Sequence, residues 1–347
     1  MARIDIKSLT KEERLAQLTA EGFPAFRARQ VNDWLDRGVS SFREMLNLPQ
    51  ALREQLEQIY EIPPVRIERR LVSSIDGTVK YLFRLGDGET VESVLMEYKH
   101  GWSQCLSTQV GCRMGCSFCA TGMDGLSRNL LPAEMIGQIE AAQADRGIRV
   151  SSIVLMGMGE PLDNFDNVMR FLELLAEEGG VHIGMRHVSL STCGLVDQIE
   201  RLMAYDWQLT LSVSLHAPND QIRRQLMPVA RRWPIEELLE ICGRYADQTG
   251  RRVSFEYAMI DGVNDSDACA QELARRLRGM LCHVNLIPAN PVPGKTHTRS
   301  SRARLLSFQQ QLLDNGINAT VRRTLGADIH ASCGQLRKSR SSEPAAE

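Results

Sequence analysis

The sequence of 347 residues predicts an α/β fold built from parallel strands and crossover helices. From Trp102 onward, six short apolar runs, CLSTQV, SIVLMGM, HVSLST, LTLSVSL, VSFEYAMI and HVNLIP, are each followed by a segment with helical periodicity. The ends of these runs carry small and polar residues: Gly111-Cys112, Gly157 to Glu160, Ser191-Thr192, Ser214 to His216 and Pro288 to Asn290. Partial barrels and doubly wound sheets both gather reactive groups at such strand ends, so the pattern favours an enzyme. The order of the units does not separate the two architectures.

The segments before and after this body read differently. LTKEERLAQLTAEGF, AFRARQVNDWLDRG and LPQALREQLEQIYEI each space apolar residues by three and four, and Pro24 and Pro49 mark helix starts. A helical accessory unit over 1–60 is therefore expected. Over 61–100 the pattern alternates: RIERRLVSS, VKYLFRLG and ETVESVLM are separated by IDG and GDG, which signals antiparallel strands joined by tight turns. The body then occupies 101–336, and 337–347, ending SRSSEPAAE, reads as a flexible tail.

With 43% hydrophobic and 24% charged residues, the chain falls in the globular class. MARIDIKSLTKEERL has no apolar core of a signal peptide, and no stretch approaches the apolar length of a membrane span, so a cytoplasmic protein is expected. Nine cysteines, an odd number, suit thiols, ligands or reactive groups better than a disulfide framework. The net charge of −2 hides a basic C-terminal region, with nine Lys/Arg against four Asp/Glu from Ile287 onward. The doublets Arg69-Arg70, Arg223-Arg224, Arg231-Arg232, Arg251-Arg252 and Arg322-Arg323 suit phosphate contacts, although charge runs are commonly solvated faces.

The sharpest local signal is CRMGCSFC, with Cys112, Cys116 and Cys119 on the loop after the first strand of the body. Three thiolates so spaced can ligate three irons of a cubane and leave the fourth iron open to a substrate or cofactor. A structural zinc site would need a fourth ligand, and no second CxxC half is present.

This spacing, with Phe118 before the last cysteine and GEP after the second strand, resembles the radical S-adenosylmethionine (SAM) superfamily. The resemblance implies a partial (β/α)6 barrel and one [4Fe-4S] cluster whose open iron chelates the amino and carboxylate groups of SAM. An electron from the cluster cleaves the sulfonium to methionine and a 5′-deoxyadenosyl radical. MGMGEP is similar to the segment that meets the SAM amino group, with glycines for close backbone approach and Glu160 for the ammonium.

Across nearly the whole chain, PAFRARQVNDWL, TVES, STQVGCRMGCSFCATG, MGMGEPLDN, STCG, SLHAPND, NLIPANPVPG and DIHASCGQL resemble the RlmN/Cfr family of RNA adenine methyltransferases. The family's chemistry answers a specific difficulty: C2 of adenine is an electron-poor amidine carbon that does not attack a methyl sulfonium. The resemblance implies that one SAM methylates Cys333 and a second yields the radical that takes a hydrogen from the S-methyl group, two SAM per turnover. The methylene radical adds to the ring and tethers the RNA. Glu92 then accepts the ring proton, and Cys105 attacks the tethered sulfur to release product and form a transient disulfide with Cys333. Gly159, Glu160, Ser191, Ser214, Leu215, His216 and Asn290 match SAM contacts, His216 as a binding residue and not an acid or base.

Plainer readings stand beside these. Cys105 lies on an apolar strand and suits a core thiol, Glu92 alternates with Val91 and Val94 and suits a solvent-facing position, and Cys333 suits an exposed tail cysteine. Cys193, Cys242, Cys269 and Cys282 are read as structural. If the disulfide role holds, Cys105 and Cys333 must bring their Cα atoms to roughly 4.4–6.8 Å when bonded.

The implied substrates are an adenine of 23S rRNA at the peptidyl transferase centre and the adenine 3′ to the tRNA anticodon, reached by base flipping. The implied partners are these RNAs, which the helical, RNA-binding unit over 1–60 would hold, and a reducing donor such as flavodoxin, with no membrane and a monomeric enzyme. A Cfr-type C8 methyltransferase is the nearest rival, and GEPL favours the C2 branch because Cfr-like chains commonly carry alanine at the position of Pro161. RRTLGADI departs from the family, with Leu325 and Ala327 where a charged pair is common. A non-catalytic iron-sulfur RNA-binding protein would leave Cys105, Cys333 and GEP unexplained together.

Overall fold

A computed structural model describes residues 3–337. Of the expected tail only Arg337 falls among them; SRSSEPAAE lies outside the described residues. The antiparallel segments form strands β1 (Arg66–Val72), β2 (Val79–Arg84) and β3 (Thr90–Tyr98), followed by β4 (Gly101–Cys105). Parallel to β4 run β5 (Val150–Leu155), β6 (Val188–Thr192), β7 (Thr210–Ser214), β8 (Val253–Met259), β9 (Cys282–Pro288) and β10 (Ala319–Val321).

All ten strands belong to one sheet, and their order across it is their order along the chain. Each crossover therefore joins neighbouring parallel strands, the winding of a barrel; a doubly wound sheet would reverse direction at a central switch point. The outermost strands, β1 and β10, do not pair with each other, so the barrel is open. The antiparallel extension continues the barrel sheet directly, because β3 pairs with β4 from Val94↔Cys105 to Tyr98↔Gly101.

Two details differ from the sequence reading. CLSTQV is not one strand: β4 ends at Cys105, and Gln109–Gly111 pairs instead with Leu126–Asn129 in a small hairpin. The intervening Ser107 and Thr108 are buried, and side chains meet three of their backbone groups: Gln138 bonds both Ser107 backbone groups at 3.1 and 3.0 Å, and Asn164 donates to the Thr108 carbonyl at 2.9 Å. In addition, β10 adds a seventh parallel strand, too short at three residues to show alternation.

Helices α1 (Lys11–Ala20), α2 (Ala25–Asp36) and α3 (Gln50–Ile59) pack around their own core, which includes Leu18, Val31, Leu35, Phe42 and Tyr60. Thr10 and Glu13 form a reciprocal capping box on α1, and Pro24 and Pro49 occupy the N-caps of α2 and α3. A half-buried ion pair, Lys7 Nζ to Glu140 Oε2 at 2.6 Å, fastens this unit to the barrel. The crossover helices are α4 (Pro132–Arg146), α5 (Phe165–Ala176), α6 (Val196–Met203), α7 (Asp220–Leu226), α8 (Ile235–Thr249), α9 (Asp267–Leu277) and α10 (Arg302–Asp314). No helix among the described residues is long and apolar enough to cross a membrane.

Strand alternation decides what faces the site. Tyr81 of β2 and Gln104 of β4 turn toward α4, where they bond Asp145 and the Gln138 carbonyl. Lys80, Glu92, Val94 and Cys105 occupy the other face, Lys80 and Cys105 both registering with Val94 on β3.

Candidate active site

The loop from Cys112 to Cys119 lies inside the small hairpin and is held at both ends. Cys112 N donates to the Gly125 carbonyl at 2.9 Å, and Ser117 N donates to the carbonyl of Leu226, the last residue of α7, at 2.8 Å. Cys112, Cys116 and Cys119 thereby share the wall of one cavity of about 170 Å³ at the C-terminal ends of the parallel strands. Burial pushes the Cys112 thiol up to about 12. Burial, and then the charges of Cys119 and Cys112, raise that of Cys116. Three thiolates gathered there need a cationic partner. A three-sulfur donor set on one loop fits a cluster with one open iron.

The strand-end residues surround the same cavity. Gly159 has φ +101°, and a Cβ there would stand 2.6 Å from Gln109 Cβ; one on Gly157 would stand 2.5 Å from the Leu106 carbonyl oxygen. The close approach these glycines permit is thus to the chain's own crossing segment, against which the cavity wall is pressed. Glu160 lines the cavity and is buried, its carboxylate accepting from Leu162 N at 3.1 Å and Cys193 N at 2.7 Å; burial raises its pKa. Ser191, Ser214 and Asn290 also line it, and Asn290 Nδ2 donates to the Cys333 carbonyl at 3.0 Å.

His216 adopts a left-handed backbone, φ +56°, and its ring stands edge-on to Phe118 with centroids 4.7 Å apart. Its Nδ1 accepts from Ala258 N at 2.9 Å, which leaves the proton on Nε2. Burial pushes its pKa down to about 3. A neutral donor in a cavity wall suits binding. Leu215 differs from its neighbours: it is fully buried in the core, and its side chain does not line the cavity.

The C-terminal segment closes over the cysteine loop. Ala120 N donates to the Gly334 carbonyl at 2.8 Å, Thr121 Oγ1 to the Leu336 carbonyl at 2.6 Å, and Arg337 Nε to Asp124 at 3.3 Å. On the other side, Arg337 N donates to Glu92 Oε2 at 2.9 Å. Glu92 is 9% exposed and does not face solvent; its Oε1 pairs with Lys80 Nζ at 2.8 Å. Burial raises its pKa in spite of that lysine. Cys333 is half-buried and lines the cavity with the three loop cysteines, whereas Cys105 is buried behind it; both are free thiols. Burial pushes Cys105 up to about 12, and the charge of Cys333 adds to the rise, so the two sulfurs lie within electrostatic reach.

Sequence reasoning missed several wall residues. Cys193, read as structural, lines the cavity, and burial beside Glu160 raises its thiol well above the usual range. Glu256 and Arg322 also line it, 3.7 Å apart. The arginine doublets split: Arg223 and Arg322 turn inward, while Arg70 pairs with Asp145 and Arg232 with Asp197. Consecutive side chains point in different directions on helices and strands, so a doublet does not make a phosphate site. The departing Leu325 is half-buried beside Cys333 in a cavity of about 40 Å³, and Ala327 is exposed.

Comparison with known proteins agrees with this architecture. Residues 106–271 match the Radical SAM superfamily model, and residues 4–62 match the ribosomal RNA large subunit methyltransferase N-terminal domain. The chain is 50% identical over 338 residues to a protein of Alkaliphilus metalliredigens named "Probable dual-specificity RNA methyltransferase RlmN", covering 97% of this chain and 96% of that one. A protein of the same name from Alkaliphilus oremlandii is 51% identical over 338 residues, covering 97% and 98%. The crystal structure of a radical SAM methyltransferase from Sphaerobacter thermophilus superposes with a TM-score of 0.91 at 49% identity, covering 96% of this chain and 99% of that one. That family implies a [4Fe-4S] cluster and SAM, and the three cysteines and strand-end cavity fit both. The chain belongs to the RlmN family of dual-specificity radical SAM RNA methyltransferases.

Proposed function

We propose that the chain methylates C2 of an adenine in 23S rRNA, and of the adenine 3′ to the anticodon in tRNA, with Cys333 as methyl carrier. The observation that supports this most is the position of the 333–337 segment, which puts Cys333 on the cavity of Cys112, Cys116 and Cys119 while Arg337 N holds Glu92. Cys112, Cys116 and Cys119 would hold the cluster, which when bound supplies the electron that cleaves SAM to a 5′-deoxyadenosyl radical. Two SAM are used per turnover, Gly159, Glu160, Ser191, Ser214, the backbone of Leu215, His216 and Asn290 forming their rim.

In this reading Cys333 presents its carbon to the base and becomes tethered to it. Glu92, a buried carboxylate of raised pKa, takes the C2 proton. Cys105 then attacks Cys333: the S–S bond forms, the S–CH2 bond breaks with its electron pair going to carbon, that carbon takes a proton to become methyl, and the adduct's unpaired electron would return to the cluster that Cys112, Cys116 and Cys119 hold. Substrate RNA, a flavodoxin-type donor, a monomeric enzyme and a cytoplasmic setting complete the reading.

Digestion of treated rRNA and chromatography against methyladenosine standards tests the product: 2-methyladenosine is expected, and 8-methyladenosine sinks the assignment. Mass spectrometry of the purified protein should find one added CH2 at Cys333.

A further inference from the structure

Arg223 is fully buried on α7, yet among the described residues no carboxylate forms an ion pair with it. Its Nη2 donates to the Cys193 carbonyl at 2.7 Å and more weakly to the Ser214 carbonyl at 3.4 Å, its Nη1 reaches the Trp233 carbonyl at 3.5 Å, and its buried Nε has no partner. Burying a guanidinium without a counter-anion is costly unless the completed site supplies one. The ionisable groups within electrostatic range of it are the thiols of Cys193, Cys116 and Cys242 and the carboxylate of Asp220. Asp220 is turned to other work, accepting from Ile235 N at 3.0 Å and lying 3.9 Å from Arg224.

The helix that carries Arg223 is also the one that grips the cysteine loop, through Ser117 N to Leu226 O at 2.8 Å. A cluster held by three thiolates brings net negative charge to that loop, and a further electron makes it more negative. We propose that Arg223 is the built-in counter-charge of the cluster, a positioning residue on α7 that raises the cluster's reduction potential.

The proposal rests on the cluster reading of Cys112, Cys116 and Cys119. It differs from a merely structural role, in which the guanidinium only ties the Cys193 carbonyl to α7. R223Q keeps an N–H donor but loses the charge, and R223K keeps the charge but loses the fork. The test is a redox titration, followed by electron paramagnetic resonance, of anaerobically reconstituted full-length wild type, R223K and R223Q. Loaded R223Q should show about a tenfold lower ratio of reduced to oxidised cluster at the wild-type midpoint, about 59 mV for one electron, with R223K near wild type. Loss of the cluster in R223Q but not in R223K would support the same charge role. A loaded R223Q with the wild-type potential, or equal shifts in both variants, overturns the role of Arg223 alone. Wild type that takes up no iron-sulfur cluster overturns the cluster reading beneath it as well.

Discussion

In the proposed reading, the cysteine loop and the Glu92–Cys105–Cys333 group use sulfur in opposite ways. The loop places its three thiols within eight residues, and its shape comes from local backbone bonds and one helix end. The second group draws on β3, β4 and a segment 228 residues beyond Cys105, joined by hydrogen bonds from Arg337, Asn290 and Ala120. A metal site needs donors that move together, so contiguity serves it. A relay needs groups in different environments: a half-buried carrier, a buried thiol and a buried carboxylate, which one short loop cannot provide.

The largest effect should separate the two regions outright. Cys112→Ala and Cys333→Ala should each lower methylation by at least about 10⁴-fold, but only Cys112→Ala should lose the cluster's visible absorption and reductive SAM cleavage. Loss of both in Cys333→Ala would merge the regions and break the contrast. Glu92→Gln should cost about 10²–10⁴-fold in turnover and accumulate RNA-protein adduct, seen on denaturing gels.

Lys80→Met sharpens the picture of Glu92. Burial already raises this carboxyl and Lys80 opposes the rise, so removing the lysine should raise the pKa further. A base works deprotonated, so the acid limb of the activity profile should move to higher pH. A pH-rate profile of single-turnover methylation checks this, and an unmoved acid limb would show that Glu92 is not the base. The smallest effect belongs to the clamp: Thr121→Val deletes the bond to the Leu336 carbonyl at 2.6 Å and should cost about fivefold, near 1 kcal/mol. Cluster content should stay unchanged.

Much of this was legible because it is local. Helix periodicity and caps placed α1–α3, alternation placed β1–β3, and CxxxCxxC announced its chemistry by spacing alone. Arg223 was not legible, since an arginine in NDQIRRQL is expected to be solvated and becomes a buried cation only when α7 meets the strand ends. Cys193 was passed over for a similar reason: its place in the cavity wall is held by Glu160, 33 residues away, whose carboxylate accepts from Cys193 N.

By itself, then, the sequence determined most of the elements and the cysteine loop, each written within a few residues, while the candidate roles of Cys105, Cys333 and Glu92 came from the resemblance of their motifs to the RlmN/Cfr family. Only the tertiary structure decided that the sheet winds as an open barrel and that β3 continues it. It also decided that Glu92 is a buried partner of Lys80 and Arg337, and that Cys333 reaches the cluster cavity. Burial and charge at a point depend on every segment that packs there, and no single stretch of chain contains that sum.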